Sequence, residues 1–104
     1  MAYMFYIYII YSAISDRFYV GYSQNPWHRL EQHLSNHKDK YTGRHSDWEL
    51  KAVFEVGESR GEADKLEKFI KRQKSRRLIE SLINPDFVPE GKLAQLVRVP
   101  HVRD

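Results

Sequence analysis

The sequence predicts an α+β fold with the element order β-β-α-β-α-α, and three observations favour it. Two short runs of aromatic and β-branched residues precede the first helical pattern, and this composition is typical of buried strands. A later run alternates apolar with polar residues at the two-residue period of a half-buried strand. Other segments carry apolar residues at helical spacing. Strands and helices in this order indicate a single α+β domain.

The first two predicted strands are expected to pair as a hairpin. Residues 4–12 and 18–23 hold the aromatic and β-branched runs. The segment between them, residues 13–17, is short and polar enough to form the hairpin loop. Pairing of these strands is expected to bring Tyr8 on the first strand near Tyr19 on the second.

The first helix has a clear start. Asn25 is a suitable N-cap, and Pro26 fits the first helical position, where its missing N–H costs nothing. The helix is predicted to reach about Ser35, with three apolar residues facing the core: Trp27, Leu30 and Leu34. Residues 36–46 are polar and predict a loop, and residues 48–56 alternate as a third strand.

Two more helices and a tail complete the expected order. A helical pattern begins near Glu62, and Ser75 is a candidate N-cap for a second, shorter helix that Asn84-Pro85 ends. Residues 85–104 hold three of the four prolines and little periodicity. We therefore expect a folded domain over residues 1–84, followed by a loosely packed tail.

Composition limits the classes of protein to consider. The chain has 104 residues and a net charge of +3. It contains no cysteine, which excludes disulfides, thiolate catalysis and cysteine-based zinc modules. The mild basic excess permits a polyanionic partner. The apolar run from Tyr3 to Tyr11 is too short to cross a bilayer and lacks the basic segment of a signal peptide. No membrane association and a cytoplasmic location are expected; the oligomeric state is left open.

Several polar residues fall where a core would not require them. Arg29 and His33 are four positions apart, so they stand on one face of the first helix, beside its apolar stripe. Tyr19 and Gly21 lie on one side of the second strand, immediately before that helix. Gly21 has no side chain, which leaves room for a substrate or another backbone to approach. Together with Tyr8, these residues are candidates for the lining of a cleft.

Phosphodiester cleavage is a reaction that these residue types can support. It requires an activated water, positive charge for the phosphoryl oxygens and help for the leaving oxygen. Tyrosine, histidine and arginine can fill these roles. Glu67 is the candidate carboxylate, because it lies beside the apolar stripe of its helix. One carboxylate with substrate phosphate and water is an adequate Mg²⁺ site.

The arrangement resembles the GIY-YIG nucleases. Tyr6-Ile7-Tyr8, followed by Tyr19-Val20-Gly21, is similar to the paired motif that names the family, although Tyr6 stands where the first motif has glycine. Residues 25–33 resemble the family helix that carries an arginine and, four positions later, a histidine. Residues 62–71 resemble the helix that supplies the metal-binding glutamate. Trp48-Glu49-Leu50 after a basic loop suits the small stand-alone branch of the family.

The resemblance implies a fold, a cofactor and a set of roles. The fold is a three-stranded antiparallel sheet flanked by helices, with one divalent ion, Mg²⁺ or Mn²⁺, at Glu67. Tyr8 and Tyr19 orient or deprotonate the attacking water, Arg29 stabilises phosphoryl charge and His33 assists proton transfer. The resemblance further implies an endonuclease that acts on nucleic acid, and DNA is expected as the substrate in preference to RNA. Many members carry a polar residue near the end of the domain, for which Asn84 is the candidate.

A basic helical segment is the expected nucleic-acid surface. Residues 65–77 contain seven lysines and arginines, which either track phosphates or form an ordinary solvated face. The residues assigned to nucleic-acid binding are Lys65, Lys68, Lys71, Arg72 and Lys74.

Three alternatives stay open at this stage. The basic helix and aromatic sheet are compatible with a module that binds nucleic acid without cutting it. The aromatic surface is also compatible with a protein-interaction domain. Finally, His28, His33 and His37 suggest a zinc site, although the fixed pattern of further ligands is missing.

Overall fold

The computed structural model describes residues 3–35 and 47–100, which form one α+β domain. In chain order the elements are β1 (Phe5–Ser12), β2 (Arg17–Ser23), α1 (Pro26–Ser35), β3 (Glu49–Gly57), α2 (Arg60–Arg72), α3 (Arg76–Ile83), a 3-10 turn (Gly91–Leu93) and β4 (Val97–Val99). The predicted α+β order is confirmed. The predicted loop over residues 36–46 and His37 lie outside the described residues. Within the described part of the chain, no helix has the length and apolarity needed to span a membrane.

The sheet is antiparallel throughout, with the strand order β2-β1-β3-β4. The hairpin that joins β1 and β2 was predicted from the composition of the two runs. Tyr8 lies in the middle of the sheet, opposite Gly21 on β2 and Val53 on β3. β1 is therefore an interior strand, and β2 forms one edge of the sheet.

Three side-chain caps define where the helices begin. The Asn25 Oδ1 atom accepts a hydrogen bond from the His28 N–H at 3.1 Å, immediately before α1. Ser59 caps α2 by accepting from the Glu62 N–H at 3.2 Å. Ser75 caps α3 by accepting from the Leu78 N–H. The caps at Asn25 and Ser75 were predicted; α2 begins slightly before the predicted start.

The helices cover both faces of the sheet. One cluster joins alternate β1 residues, Ile7 and Ile9, to Leu66 and Ile70 of α2 and Leu82 of α3. The second cluster lies on the opposite face and contains Tyr8, Ile10, Trp48 and Val53, with Leu30 and Leu34 of α1 packed against them. The two-residue period of β1 thus supplies both cores. Trp27 departs from its predicted core position: it is 42% exposed and contacts the Tyr6 ring edge-on.

The segment expected to be a loose tail is packed in its described part. Leu93 and Leu96 are buried in the same core as α2 and α3. β4 adds a fourth strand by pairing with β3, and this corrects the predicted three-stranded sheet. The Arg98 guanidinium donates to the carbonyl oxygens of Leu82 and Asn84 at 2.6 and 2.9 Å. Two isolated leucines and a three-residue strand are too few to produce a periodic pattern, so the sequence did not predict that this segment packs.

Candidate active site

A buried hydrogen bond joins Tyr8 of β1 to His33 of α1. The Tyr8 hydroxyl oxygen lies 2.9 Å from the His33 Nε2 atom, and both residues are almost fully buried. Burial of polar groups is costly unless they are hydrogen-bonded, and this pairing meets that requirement for the phenol. His33 is therefore a buried residue and not part of a solvated helix face.

Burial raises the pKa of the Tyr8 phenol from its usual 10.0 to about 12. The nearby guanidinium of Arg29 opposes this shift, whereas Tyr19 and the Glu67 carboxylate add to it. The Tyr8 phenol keeps its proton at neutral pH, and its charge environment is set by the other residues that the sequence assigned to the site.

Tyr19 completes an aromatic cluster with this pair. Its ring centroid lies 6.5 Å from that of Tyr8 and 4.9 Å from that of His33, with the histidine ring meeting it edge-on. Tyr19 is only partly buried, so it lies between the core and the solvent. The Lys71 Nζ atom lies 5.1 Å from the centre of the Tyr19 ring.

Glu67 approaches the cluster from α2. Its side chain is 14% exposed, and its Oε1 atom lies 3.2 Å from the Lys71 Nζ atom, one helical turn later. Glu67 thus pairs with Lys71 at the i,i+4 spacing of a helix surface, yet its carboxylate is also close enough to raise the pKa of Tyr8. Glu67 is therefore both the ion-pair partner of a lysine on its own helix and a neighbour of the Tyr8 phenol.

Arg29 lies one turn before His33 on α1. Its side chain is partly buried, and its Nη1 atom donates to the Gln32 Oε1 atom at 2.8 Å. That contact restricts the guanidinium while it remains near the Tyr8 phenol. Gln32 was not identified from the sequence; its position three residues after Arg29 is the signal that suggests such a contact.

Gly21 has a different role from the predicted one. A Cβ atom at this position would lie 2.4 Å from the Tyr8 hydroxyl oxygen and 2.5 Å from the Tyr8 Cζ atom. The space beside Gly21 is therefore filled by the Tyr8 ring and is not an entry for a substrate. Glycine here positions the phenol through close packing of β2 against the ring.

The basic residues assigned to nucleic-acid binding divide into two groups. Lys65, Lys68 and Lys71 each pair with a carboxylate of the same helix: Glu62, Asp64 and Glu67. Within residues 3–35 and 47–100, neither Arg72 nor Lys74 has a carboxylate at ion-pair distance. Lys71 differs from the rest, because it contacts both Glu67 and the Tyr19 ring. The sequence placed it on the binding surface and did not identify this position in the site.

Asn84 has contacts that explain it as the end of α3. Its N–H bonds to the carbonyl of Ser81, and its Oδ1 atom accepts from the Asp86 N–H. Its described contacts do not include the aromatic cluster. For the zinc interpretation, the described residues contain no group of three or more His, Asp or Glu arranged to hold a metal ion.

The chain belongs to the GIY-YIG family. The family model for the GIY-YIG catalytic domain matches residues 4–80, which include every residue of the cluster described above. The family consists of nucleases that act on nucleic acid. Comparisons with curated proteins and with solved structures gave no significant match.

Proposed function

We propose that this chain is a metal-dependent endonuclease that hydrolyses phosphodiester bonds in DNA. The observation that carries the proposal is the buried Tyr8–His33 hydrogen bond, bordered by Arg29, Tyr19 and Glu67. A core has no need of a histidine hydrogen-bonded to a phenol beside an arginine and a carboxylate. Phosphodiester hydrolysis does need proton transfer, positive charge and a metal ligand in one place.

Glu67 is the residue that would hold the metal. It offers oxygen ligands, which Mg²⁺ and Mn²⁺ prefer, and its carboxylate is the acidic group that contributes to the raised pKa of Tyr8. Because one carboxylate does not fill a coordination sphere, the substrate phosphate and water would supply the other ligands. When bound, the ion would stabilise negative charge on the phosphoryl oxygens.

Tyr8 and His33 are suited to move a proton together. A phenol with a pKa of about 12 is a weak acid, so Tyr8 alone does not exist as a phenolate base at neutral pH. A relay removes this difficulty. As the Tyr8 oxygen accepts a proton from the attacking water, its own proton passes to the His33 Nε2 atom 2.9 Å away. No free phenolate forms, and the charge ends on the imidazole.

Arg29 and Tyr19 complete the proposed chemistry. Contact with Gln32 restricts the Arg29 guanidinium, and a fixed cation directed at the phosphate stabilises the transition state more than a mobile one. Tyr19 is the partly exposed aromatic residue of the group, so its hydroxyl is available to orient the water or a phosphate oxygen.

A binding module without catalysis is the second candidate. One observation favours it: Glu67 has a lysine partner one helical turn away, as many surface glutamates do. In that case the chain would retain salt-dependent binding of nucleic acid but would not turn over substrate.

The test is a cleavage assay on a panel of labelled substrates. Flapped, branched, single-stranded and duplex DNA, with matched RNA, are incubated with the protein in Mg²⁺, Mn²⁺ or EDTA. We expect a divalent ion to permit cleavage of at least one DNA substrate and EDTA to prevent it. Binding without cleavage under all of these conditions would instead support the second candidate.

A further inference from the structure

A groove of about 620 Å³ runs beside the edge of the sheet. One wall is formed by β2 and the hairpin loop, and the other by the junction of α2 and α3. We call this the edge groove. Its lining includes Tyr19 and Lys71, which also border the candidate active site. The edge groove is therefore continuous with the place where we propose that cleavage occurs.

The charge in the edge groove favours an anionic occupant. Its lining contains Arg17, Lys71, Lys74 and Arg76 but a single acidic residue, Asp16. The Arg76 Nη2 atom already lies 2.6 Å from the Asp16 Oδ1 atom, so these two charges offset each other. In the described part of the chain, Arg17 and Lys74 have no carboxylate at ion-pair distance. Both are exposed and available for phosphate groups.

The walls of the groove hold their shape. Arg76 donates to the Asp16 backbone oxygen as well as to its carboxylate, which ties the hairpin loop to the start of α3. The Tyr11 hydroxyl also donates to the Asp16 carboxylate. Asp16 and Lys74, which both line the groove, adopt left-handed backbone conformations with φ of 52° and 47°.

The floor of the groove is apolar, which favours nucleobases over a phosphate backbone alone. Phe18 and Ile79 are its partly exposed apolar residues, beside the buried Val20 and Ile70. The Arg76 guanidinium lies 5.0 Å from the centre of the Phe18 ring. Apolar side chains and a guanidinium plane are surfaces on which bases stack. A duplex keeps its base faces inside the helix, whereas an unpaired strand exposes them.

We propose that the edge groove binds an unpaired single strand of the substrate next to the cleaved bond. In this arrangement Arg17 and Lys74 contact phosphates, and bases rest on Phe18 and Ile79. The assignment of the strand to this nuclease's substrate rests on the function proposed above. The binding itself does not require cleavage and is measured without it.

The chain offers a matched control on the other side of α2. Lys92 lines a separate groove of similar size, where its Nζ atom lies 5.3 Å from the centre of the Phe69 ring. That groove is also lined by Lys65 and Lys68, which pair with its Glu62 and Asp64, and by Arg72. Lys92→Ala therefore also tests whether this second basic groove binds the strand instead. Lys92→Ala removes one exposed lysine from the chain, as Lys74→Ala does, but outside the edge groove.

The experiment measures affinity for fluorescent oligonucleotides by anisotropy in EDTA, across a salt series. We expect single-stranded DNA to bind more tightly than a blunt duplex of the same length. Arg17→Ala and Lys74→Ala should each reduce the slope of log affinity against log salt by about 0.7, the value for one lost contact on a single strand. Lys92→Ala should leave the slope unchanged. Because the substituted side chains are exposed, circular dichroism should show folded variants.

Two results would overturn the proposal: equal loss of slope in Lys74→Ala and Lys92→Ala, or duplex binding as tight as single-strand binding. A parallel cleavage assay of the wild type in Mn²⁺ separates the two proposals. If the wild type cleaves but Lys74→Ala and Lys92→Ala bind the oligonucleotide with the same affinity and salt slope, the edge-groove proposal is wrong and the nuclease proposal stands. A slope change limited to Arg17→Ala and Lys74→Ala, without any cleavage, would retain the groove and reject the nuclease.

Discussion

The Tyr8 hydroxyl and the His33 Nε2 atom meet at 2.9 Å inside the core, although the residues are 25 positions apart in the chain. β1 supplies the phenol, and α1 supplies the imidazole after the chain has passed through β2. Because the pair is buried, its hydrogen bond is shielded from bulk solvent. This contact connects the fold to the proposed proton relay, in which the two side chains would act as one unit.

Tyr8→Phe and His33→Ala should therefore show non-additive effects on cleavage. Each single change breaks the same relay, and general acid–base catalysis is worth about 10²–10⁴-fold. The double variant should lose little more than the more damaging single variant, since residues that act together do not add. Single-turnover rates for the four proteins test this. Losses that multiply in the double variant would show that the residues act independently.

The raised pKa of Tyr8 predicts a loss of stability at high pH. Below pH 10 the phenol is protonated in both the folded and the unfolded chain, so its effect is constant. As pH rises from 10 to 12, the unfolded chain releases this proton and the folded chain retains it, so folding becomes less favourable. The loss approaches about 2–3 kcal/mol at pH 12. Urea denaturation at pH 9 and pH 11 measures the free energy of unfolding of wild type and Tyr8→Phe. We expect the difference between the two proteins to shift against wild type at pH 11. A difference that is the same at both pH values would contradict the raised pKa.

Gly21→Ala should destabilise the domain and impair cleavage together. The new methyl group would lie 2.4 Å from the Tyr8 hydroxyl oxygen, so the ring or β2 must move, at a cost of about 1–3 kcal/mol. Gly61→Ala is the matched control, because its Cβ atom would meet only the Ser59 Oγ atom at 3.7 Å. Thermal unfolding and single-turnover rates should separate the two variants. Equal behaviour would mean that the contact with Tyr8 has no consequence.

The C-terminal segment should contribute to stability. Leu93→Ala and Leu96→Ala remove buried side chains from the core shared with α2 and α3, and such changes cost about 2–5 kcal/mol. Val88→Ala is the control, because Val88 is 74% exposed. Urea denaturation measures the free energy of unfolding for each variant. If the leucine variants match the valine variant, the segment after α3 is loosely attached, as the sequence pattern suggested.

Much of the fold follows from local signals in the sequence. The Asn25 and Ser75 caps use short-range hydrogen bonds that are typical of these residue types. The two-residue period of β1 places Tyr8 on one face of the sheet and Ile7 and Ile9 on the other. β4 was missed because it is three residues long and its pairing with β3 joins segments far apart in the chain. Trp27 was misplaced because helical spacing alone does not show which residues the sheet covers.

The candidate site was predictable by residue type and order but not by contact. Arg29 and His33 share a helix face, and a hairpin brings Tyr8 near Tyr19, as expected. Spacing does not reveal that the Tyr8 ring would fill the space beside Gly21, because this depends on the register between β1 and β2. Nor does it reveal that Lys71 would reach Tyr19, since that contact requires α2 to pack near the edge of the sheet.

The most direct test of the account is the single-turnover rate of Glu67→Gln, measured together with affinity for the same substrate. The substitution keeps the shape of the side chain and removes the proposed metal ligand. Glu62→Gln is the control, because Glu62 lies on the same helix and its carboxylate pairs with Lys65 away from Tyr8. We predict a loss of about 100-fold or more in rate for Glu67→Gln, equivalent to about 3 kcal/mol, with affinity retained and Glu62→Gln unaffected. Wild-type rates in Glu67→Gln would contradict the assignment of a metal-dependent nuclease centred on this carboxylate.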